Sequence, residues 1–222
     1  MTRRVSEERI DRMLGRVRAY VATVPRPYVS EEAEERRNPY RTLVACLISL
    51  RTKEAVTGAA SRRLFALADT PEAMLRLRQE EIAQAIKPAL YYLTKAGNIR
   101  RVSQLLMDAY EGRVPDQMEE LLGLPGVGRK TANLVLTMAF DKMGICVDTH
   151  VHRVTNRWGW VQTNTPDETE TALRERLPER HWKTINSLLV PFGQFLCVPI
   201  SPLCGKCPVR EDCRRIGVPR SR

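Results

Sequence analysis

Apolar residues recur along this chain at intervals of three and four, the period of helices that bury one face. Ile10, Met13, Leu14, Val17 and Val21 make the first stripe, with Ser6 placed to cap it, and Pro25-Arg26-Pro27 ends it as a linker. The charged stretch Glu31 to Arg37 predicts a solvated helix face. Asn38-Pro39 opens the next helix, with Tyr40, Leu43, Val44 and Leu47 on one side and Cys46 as a core thiol. After the polar break Ser49 to Glu54, Val56, Ala59, Ala60, Leu64 and Leu67 carry another helix. Asp69-Thr70-Pro71 is a stop and a restart with proline in the first turn, and Met74, Leu75, Ile82 and Ile86 mark two short helices. Lys87 to Tyr92 reads as a turn whose tyrosines, Tyr91 and Tyr92, either pack on the core or face solvent. Ile99, Val102, Leu106 and Ala109 then form a long amphipathic helix, ended near Gly112 and Pro115.

The pattern tightens between Leu121 and Arg153. An apolar turn including Met118, Leu121 and Leu122 leads into Pro125-Gly126-Val127-Gly128, and a nearly continuous apolar helix follows from Thr131 to Phe140. Asp148 stands directly before a further helix carrying Val151, Val154 and Trp158. Thr165-Pro166-Asp167-Glu168 is a capping box ahead of Ala172, Leu173 and Leu177. A last helix runs from about His181 towards Phe195 with a kink at Pro191. Period-two alternation is missing throughout, which predicts an all-α fold of about ten helices.

A length of 222 residues with 43% hydrophobic content suffices for one large or two small domains. No apolar run reaches about 18 residues, so no membrane span is expected. The charged N-terminus MTRRVSEERIDRML lacks an apolar signal core, which predicts an intracellular, cytoplasmic protein. The net charge of +10 and pI near 9.6 suit a polyanionic partner, although ribosomal and membrane-surface proteins share such a balance.

Three groups of residues carry candidate chemistry. Gly126 and Gly128 permit a positive φ or a close backbone approach, and the amides that follow converge on a helix start able to bind an anion such as a DNA phosphate. Arg129 and Lys130 stand at the same place. Alone, Lys130 is a solvated or phosphate-contacting lysine; dehydrated at the edge of a buried helix, it becomes an amine nucleophile. Asp148 alone is a helix N-cap. The i, i+2 spacing of His150 and His152 sends their rings to different helix faces, which favours structural or DNA-facing roles over metal binding.

Cys197, Cys204, Cys207 and Cys213 crowd into seventeen residues with the spacing Cys-x6-Cys-x2-Cys-x5-Cys. In a cytosolic chain this suggests metal rather than disulfides. Four thiolates suit either tetrahedral zinc or a four-iron cluster, and the presence of a single Cys-x2-Cys knuckle favours iron–sulfur. The tail from Lys206 to Arg222 sets six basic residues against two acidic ones, which would offset an anionic cluster or meet phosphates.

Taken together, LPGVGRKTAN at Leu124 to Asn133, VDTH at Val147 to His150 and the cysteine loop resemble the endonuclease III family of helix-hairpin-helix DNA glycosylases, from about Asn38 to Cys213. The resemblance implies two helical domains with a DNA cleft between them. One is a six-helix domain over residues 30–142, with the hairpin at about 118–140. The other joins 1–29 to 143–222 and holds a [4Fe-4S] cluster on Cys197, Cys204, Cys207 and Cys213. It also implies Lys130 as catalytic lysine, Asp148 as catalytic aspartate, and Gly126, Gly128 and Arg129 on the DNA. The implied activity is that of a bifunctional glycosylase and AP lyase. It would act as a nucleoid-associated monomer on double-stranded DNA with an oxidised pyrimidine or an abasic site. Two positions depart from the family pattern: Arg51 replaces the glutamine that fills the gap left by a flipped base, and Leu90-Tyr91-Tyr92 replaces a Gly-Leu-Tyr wedge. Arg51 and Tyr91 are therefore candidate contacts to the opposite strand. They motivate one other reading, a cluster-bearing lesion sensor with little catalysis; a mismatch or adenine glycosylase on the same fold is a third, against which Lys130 argues.

Overall fold

The computed structural model describes residues 5–222, and these form twelve α-helices and two 3₁₀ turns with no strand among them. The all-α expectation holds. The chain separates into two compact units: Tyr28–Lys142, and Met1–Pro27 together with Met143–Arg222. The boundary follows Pro25-Arg26-Pro27, where two prolines interrupt the helical pattern. Helix α1 (Glu7–Val21) precedes it and buries Ile10, Met13, Leu14 and Val17; Ser6 occupies the N-cap position, but its side chain makes no capping bond.

The 28–142 unit holds eight helices: α2 (Tyr28–Arg36), α3 (Pro39–Ser49), α4 (Glu54–Leu67), α5 (Pro71–Arg76), α6 (Gln79–Ile86), α7 (Tyr92–Tyr110), α8 (Met118–Leu122) and α9 (Arg129–Ala139). Helix α3 lies at the centre: Leu43, Val44, Leu47 and Ile48 are fully buried, and α2, α4, α7 and α9 all pack on it. Each such side chain contributes roughly 1.5–3 kcal/mol by leaving water. Asn38 Oδ1 accepts from the Arg41 amide, and Thr70 Oγ1 accepts from that of Ala73, so both Asx/Thr-Pro starts fold as their sequences predict.

Two stripes differ from expectation. In α4 the buried face is Thr57, Gly58, Ala60, Ser61, Leu64 and Phe65, the first four small enough to let neighbouring helices approach, while Leu67 is exposed. The charged segment at 31–37 is a solvated face only in part: Glu34 to Arg37 are exposed, while Glu32 and Ala33 are buried. It belongs to α2, which buries Tyr28, Val29, Ser30, Glu32 and Ala33. Glu32 is enclosed with its partners, Arg41 Nε at 2.5 Å and the Tyr28 hydroxyl at 2.6 Å. Arg41 also stacks over Phe65.

In the other unit, α10 (Thr149–Trp158), α11 (Pro166–Arg176) and α12 (Ile185–Phe195) gather with α1 around one core. Trp158 packs edge-on against Phe192, which meets Tyr20 of α1 in the same way. Thr165 Oγ1 caps α11 through the Glu168 amide, while the reciprocal bond from Glu168 runs to the Asn164 amide, one residue earlier than a standard capping box. The expected single helix from His181 is instead a 3₁₀ turn at Glu179–His181 followed by α12, with Pro191 inside it. His152 Nδ1 meets Thr169 Oγ1 at 2.7 Å and links α10 to α11.

Burial pushes the Glu32 carboxyl up, but the bonds from Arg41 and Tyr28 outweigh it and hold the group below its ordinary value of 4.5. A carboxyl depressed on folding contributes stability that is complete above that value and lost as pH falls through the folded one. Glu32→Ala is expected to destabilise the protein by roughly 2–3 kcal/mol, just under the range for a wholly buried pair because Arg41 keeps Asp69. Urea denaturation at pH 7 and pH 3.5 checks this: the gap between variant and parent should narrow at the lower pH.

Candidate functional site

The turn between α8 and α9 is pinned from below by Leu121, Leu124 and Val127, all buried. The Leu124 amide donates to Leu121 O, and the Val127 amide to Leu124 O, both at 3.1 Å. Gly126 has φ +80°, and a Cβ there would stand 2.5 Å from Asn98 Nδ2. Asn98 is itself held, because Arg101 Nη2 donates to its Oδ1 at 2.6 Å. Gly126 therefore meets both conditions that call for glycine. Gly128 meets neither: its φ is −106°, and an added Cβ would face open space. It is the N-cap of α9 and brings no side chain of its own to that helix start.

Arg129 and Lys130 form the first residues of α9 and are exposed. Lys130 acts electrostatically on two neighbours from α3 and α4. Burial pushes the Cys46 thiol up to about 12, against the pull of Lys130. Burial also raises Glu54, opposed by the Tyr28 amide and, more weakly, by Lys130.

Arg51 and Tyr91 belong to the same unit and come together. Both are exposed, both have left-handed backbones (φ 56° and 57°), and the Arg51 guanidinium lies 5.4 Å from the centre of the Tyr91 ring. Of the two tyrosines, Tyr91 faces solvent and Tyr92 is half-buried.

Asp148 lies in the discontinuous unit, 7% exposed, as the N-cap of α10. Its Oδ1 accepts from the amides of His150 (2.8 Å) and Val151 (2.9 Å). This double bond to the helix start fixes the carboxylate's orientation. His150 Nδ1 lies 3.1 Å from Arg153 Nη2.

Cys197, Cys204, Cys207 and Cys213 line one small, largely apolar cavity with Trp158 and Phe192. Among the described residues, no three His, Cys, Asp or Glu side chains are grouped as ligands of a metal ion. Burial raises Cys207 to about 11 and raises Cys213 as well. Two residues without a motif organise this loop. Arg157, buried in α10, donates to Cys197 Sγ (3.4 Å) and to the carbonyls of Val198 (2.7 Å) and Pro199 (2.6 Å). Asp212 ties the loop to α1 through Arg12 at 2.9 Å, with Arg9 and Arg16 close by. Arg157 falls in register with the apolar face of Val154 and Trp158, which is the signal that sequence reasoning passed over.

An apolar-pinned glycine turn between two helices, followed by a basic helix start, defines a helix-hairpin-helix protein. The family model for HhH-GPD superfamily base excision DNA repair proteins matches residues 44–179, and the chain belongs to that superfamily. Within it the chain is a member of the endonuclease III family. The endonuclease III of Thermotoga maritima is 47% identical over 176 residues, which cover 79% of this chain and 83% of that one. Two solved structures share its fold. A non-covalent endonuclease III–DNA complex is 32% identical with a TM-score of 0.83, covering 95% of this chain and 96% of the other. A trapped endonuclease III–DNA covalent intermediate, an estranged-adenine complex, is 32% identical with a TM-score of 0.81, covering 95% and 97%.

The two glycines separate cleanly by experiment. Gly126→Ala should lower stability by about 1–2 kcal/mol, the cost of a left-handed backbone for a residue with a Cβ. Gly128→Ala should cost less, about 0.5–1 kcal/mol, because alanine is only a poorer N-cap there and meets no clash. Paired urea titrations measure both.

Proposed function

We propose that Lys130 is the nucleophile and Asp148 the assisting carboxylate of a base-excision DNA glycosylase with AP lyase activity. Family membership assigns the reaction class, and it favours this activity over a sensor without catalysis. The observation that carries the residue assignment is the position of Lys130: exposed in the first turn of α9, directly after the Gly126 turn, on a helix start whose N-cap is a glycine. Such a start attracts a phosphate by its amides and its dipole, without regard to base sequence.

The chemistry follows from these parts. A damaged nucleotide leaves the stack so that its sugar can be reached. Lys130 enters the reaction as its neutral amine. Its Nζ attacks C1′ as the N-glycosidic bond breaks and the base departs with the bonding electrons. The positive charge that develops on the sugar is stabilised by a carboxylate, the role given to Asp148. Loss of the ring oxygen bond leaves an iminium between Nζ and C1′. That iminium acidifies C2′–H; removal of the proton expels the 3′ phosphate and cuts the strand, and water then releases Lys130. Oxidised pyrimidines are the proposed substrates, in double-stranded DNA. The nucleoid of the cytoplasm is the corresponding place of action, in keeping with the finding that no described helix is long and apolar enough to cross a membrane.

Cys197, Cys204, Cys207 and Cys213 are proposed to hold a [4Fe-4S] cluster. Four thiols lining one apolar cavity, with a single Cys-x2-Cys knuckle among them, suit a cluster in which each iron takes one outer thiolate. Arg157 and the basic tail offset the cluster's negative charge. When bound, the cluster fastens the 197–213 loop. In this reading, 28–142 is the hairpin domain and the discontinuous unit is the cluster domain.

Borohydride reduction on a duplex with an abasic site should trap the parent protein covalently. Lys130→Ala should reduce trapping by at least about a thousandfold, as loss of a covalent nucleophile does. Asp148→Asn, which retains the capping oxygen, should slow base release while leaving stability within a few tenths of a kcal/mol. Undiminished trapping by Lys130→Ala would remove the assignment. Metal analysis should find about four irons per chain; zinc in their place would refute the cluster.

A further inference from the structure

Lys95 is buried, 6% exposed, in register with Ile99, Val102 and Leu106 on the apolar face of α7. Its ammonium donates to Ile48 O (2.6 Å), Leu50 O (2.7 Å) and Thr52 Oγ1 (2.7 Å). None of these acceptors is a carboxylate. The compensation comes instead from the carbonyl end of α3, where the helix dipole favours a cation. Burial brings Lys95 down to about 8, which leaves it mostly protonated at neutral pH, with three N–H groups for three acceptors. Thr52 Oγ1 also accepts from the Leu90 amide at 3.2 Å, and the Lys95 amide donates to Tyr91 O at 3.0 Å.

These bonds fall on either side of the two strained residues. Arg51 lies between Leu50 and Thr52; Tyr91 follows Leu90. A left-handed backbone at two residues with side chains persists where its surroundings over-determine it, and the exposed pair stacks at 5.4 Å. We infer that Lys95 is a positioning residue: it fastens the Arg51 loop to the Tyr91 turn, so that the pair forms one pre-set platform for an unpaired nucleobase. A guanidinium and an aromatic face are the groups on which unstacked bases rest. The platform rests on the DNA reading above; the fastening does not.

The test uses full-length protein and Lys95→Met, which keeps the stem and removes the donors. Hydrogen exchange read by mass spectrometry, without DNA, should show residues 49–53 and 87–92 exchanging faster together. Loosening of neither segment, or of one alone, would overturn the fastening. Thr52→Val supplies the same reading with the ammonium in place, should Lys95→Met fold poorly. Binding is then measured on a duplex with a tetrahydrofuran abasic analogue opposite 2-aminopurine. Lys95→Met should bind about tenfold more weakly, and Arg51→Ala and Tyr91→Ala should weaken similarly, within the range of a base–aromatic stack. On a cleavable abasic duplex the loss should fall on KM more than on kcat. Loosened segments with unchanged affinity, or a loss confined to kcat, would overturn the platform. Failure of the parent to bind this duplex would sink the DNA reading itself and leave the exchange result standing separately.

Discussion

A backbone at φ +80° suits glycine and strains other residues, and at Gly126 this conformation sets the direction in which α9 leaves its turn. Leu121, Leu124 and Val127 hold the turn from the core side, and Asn98 fills the space a side chain would need. The proposed chemistry depends on this restraint, because Lys130 is only four residues beyond Gly126. A helix start that wandered would carry both the phosphate site and the amine with it.

Elsewhere the chain uses buried charge where apolar packing alone would leave a loop undirected. Glu32 with Arg41 fixes α2 on α3, Arg157 gathers the carbonyls behind Cys197, and Lys95 draws the end of α3 towards the Tyr91 turn. In each case a long side chain satisfies several oxygens at once, which specifies a backbone path more narrowly than contact area does. Removing one partner leaves the other without its counterpart in a site poor in water.

How much of this was legible in the sequence follows from what periodicity can carry. The α1, α3, α7 and α10 stripes, the two Thr-Pro caps and the glycine turn were readable because each is a local pattern with a local cause. The face of α4 was misread in part because Thr57, Gly58 and Ser61, which do not register as hydrophobic, share it with Ala60 and Leu64. Within the 31–37 segment Glu32 was misread because it is charged and yet enclosed, and only its tertiary partners reveal that. Arg157 and Lys95 were missed for the same reason, although both interrupt an apolar stripe in register, which is the trace such residues leave. The exposure of Lys130 could not be read at all, since burial of a helix start depends on what surrounds it.

The central claim is that the amine just beyond the Gly126 turn bonds to the sugar. The most direct measurement is a peptide map of the borohydride-reduced protein–DNA adduct, with mass spectrometry locating the modified residue. The account predicts a deoxyribose-derived mass on Nζ of Lys130. An adduct on Lys53, Lys95, Lys142 or the N-terminal amine, with Lys130 unmodified, would contradict it.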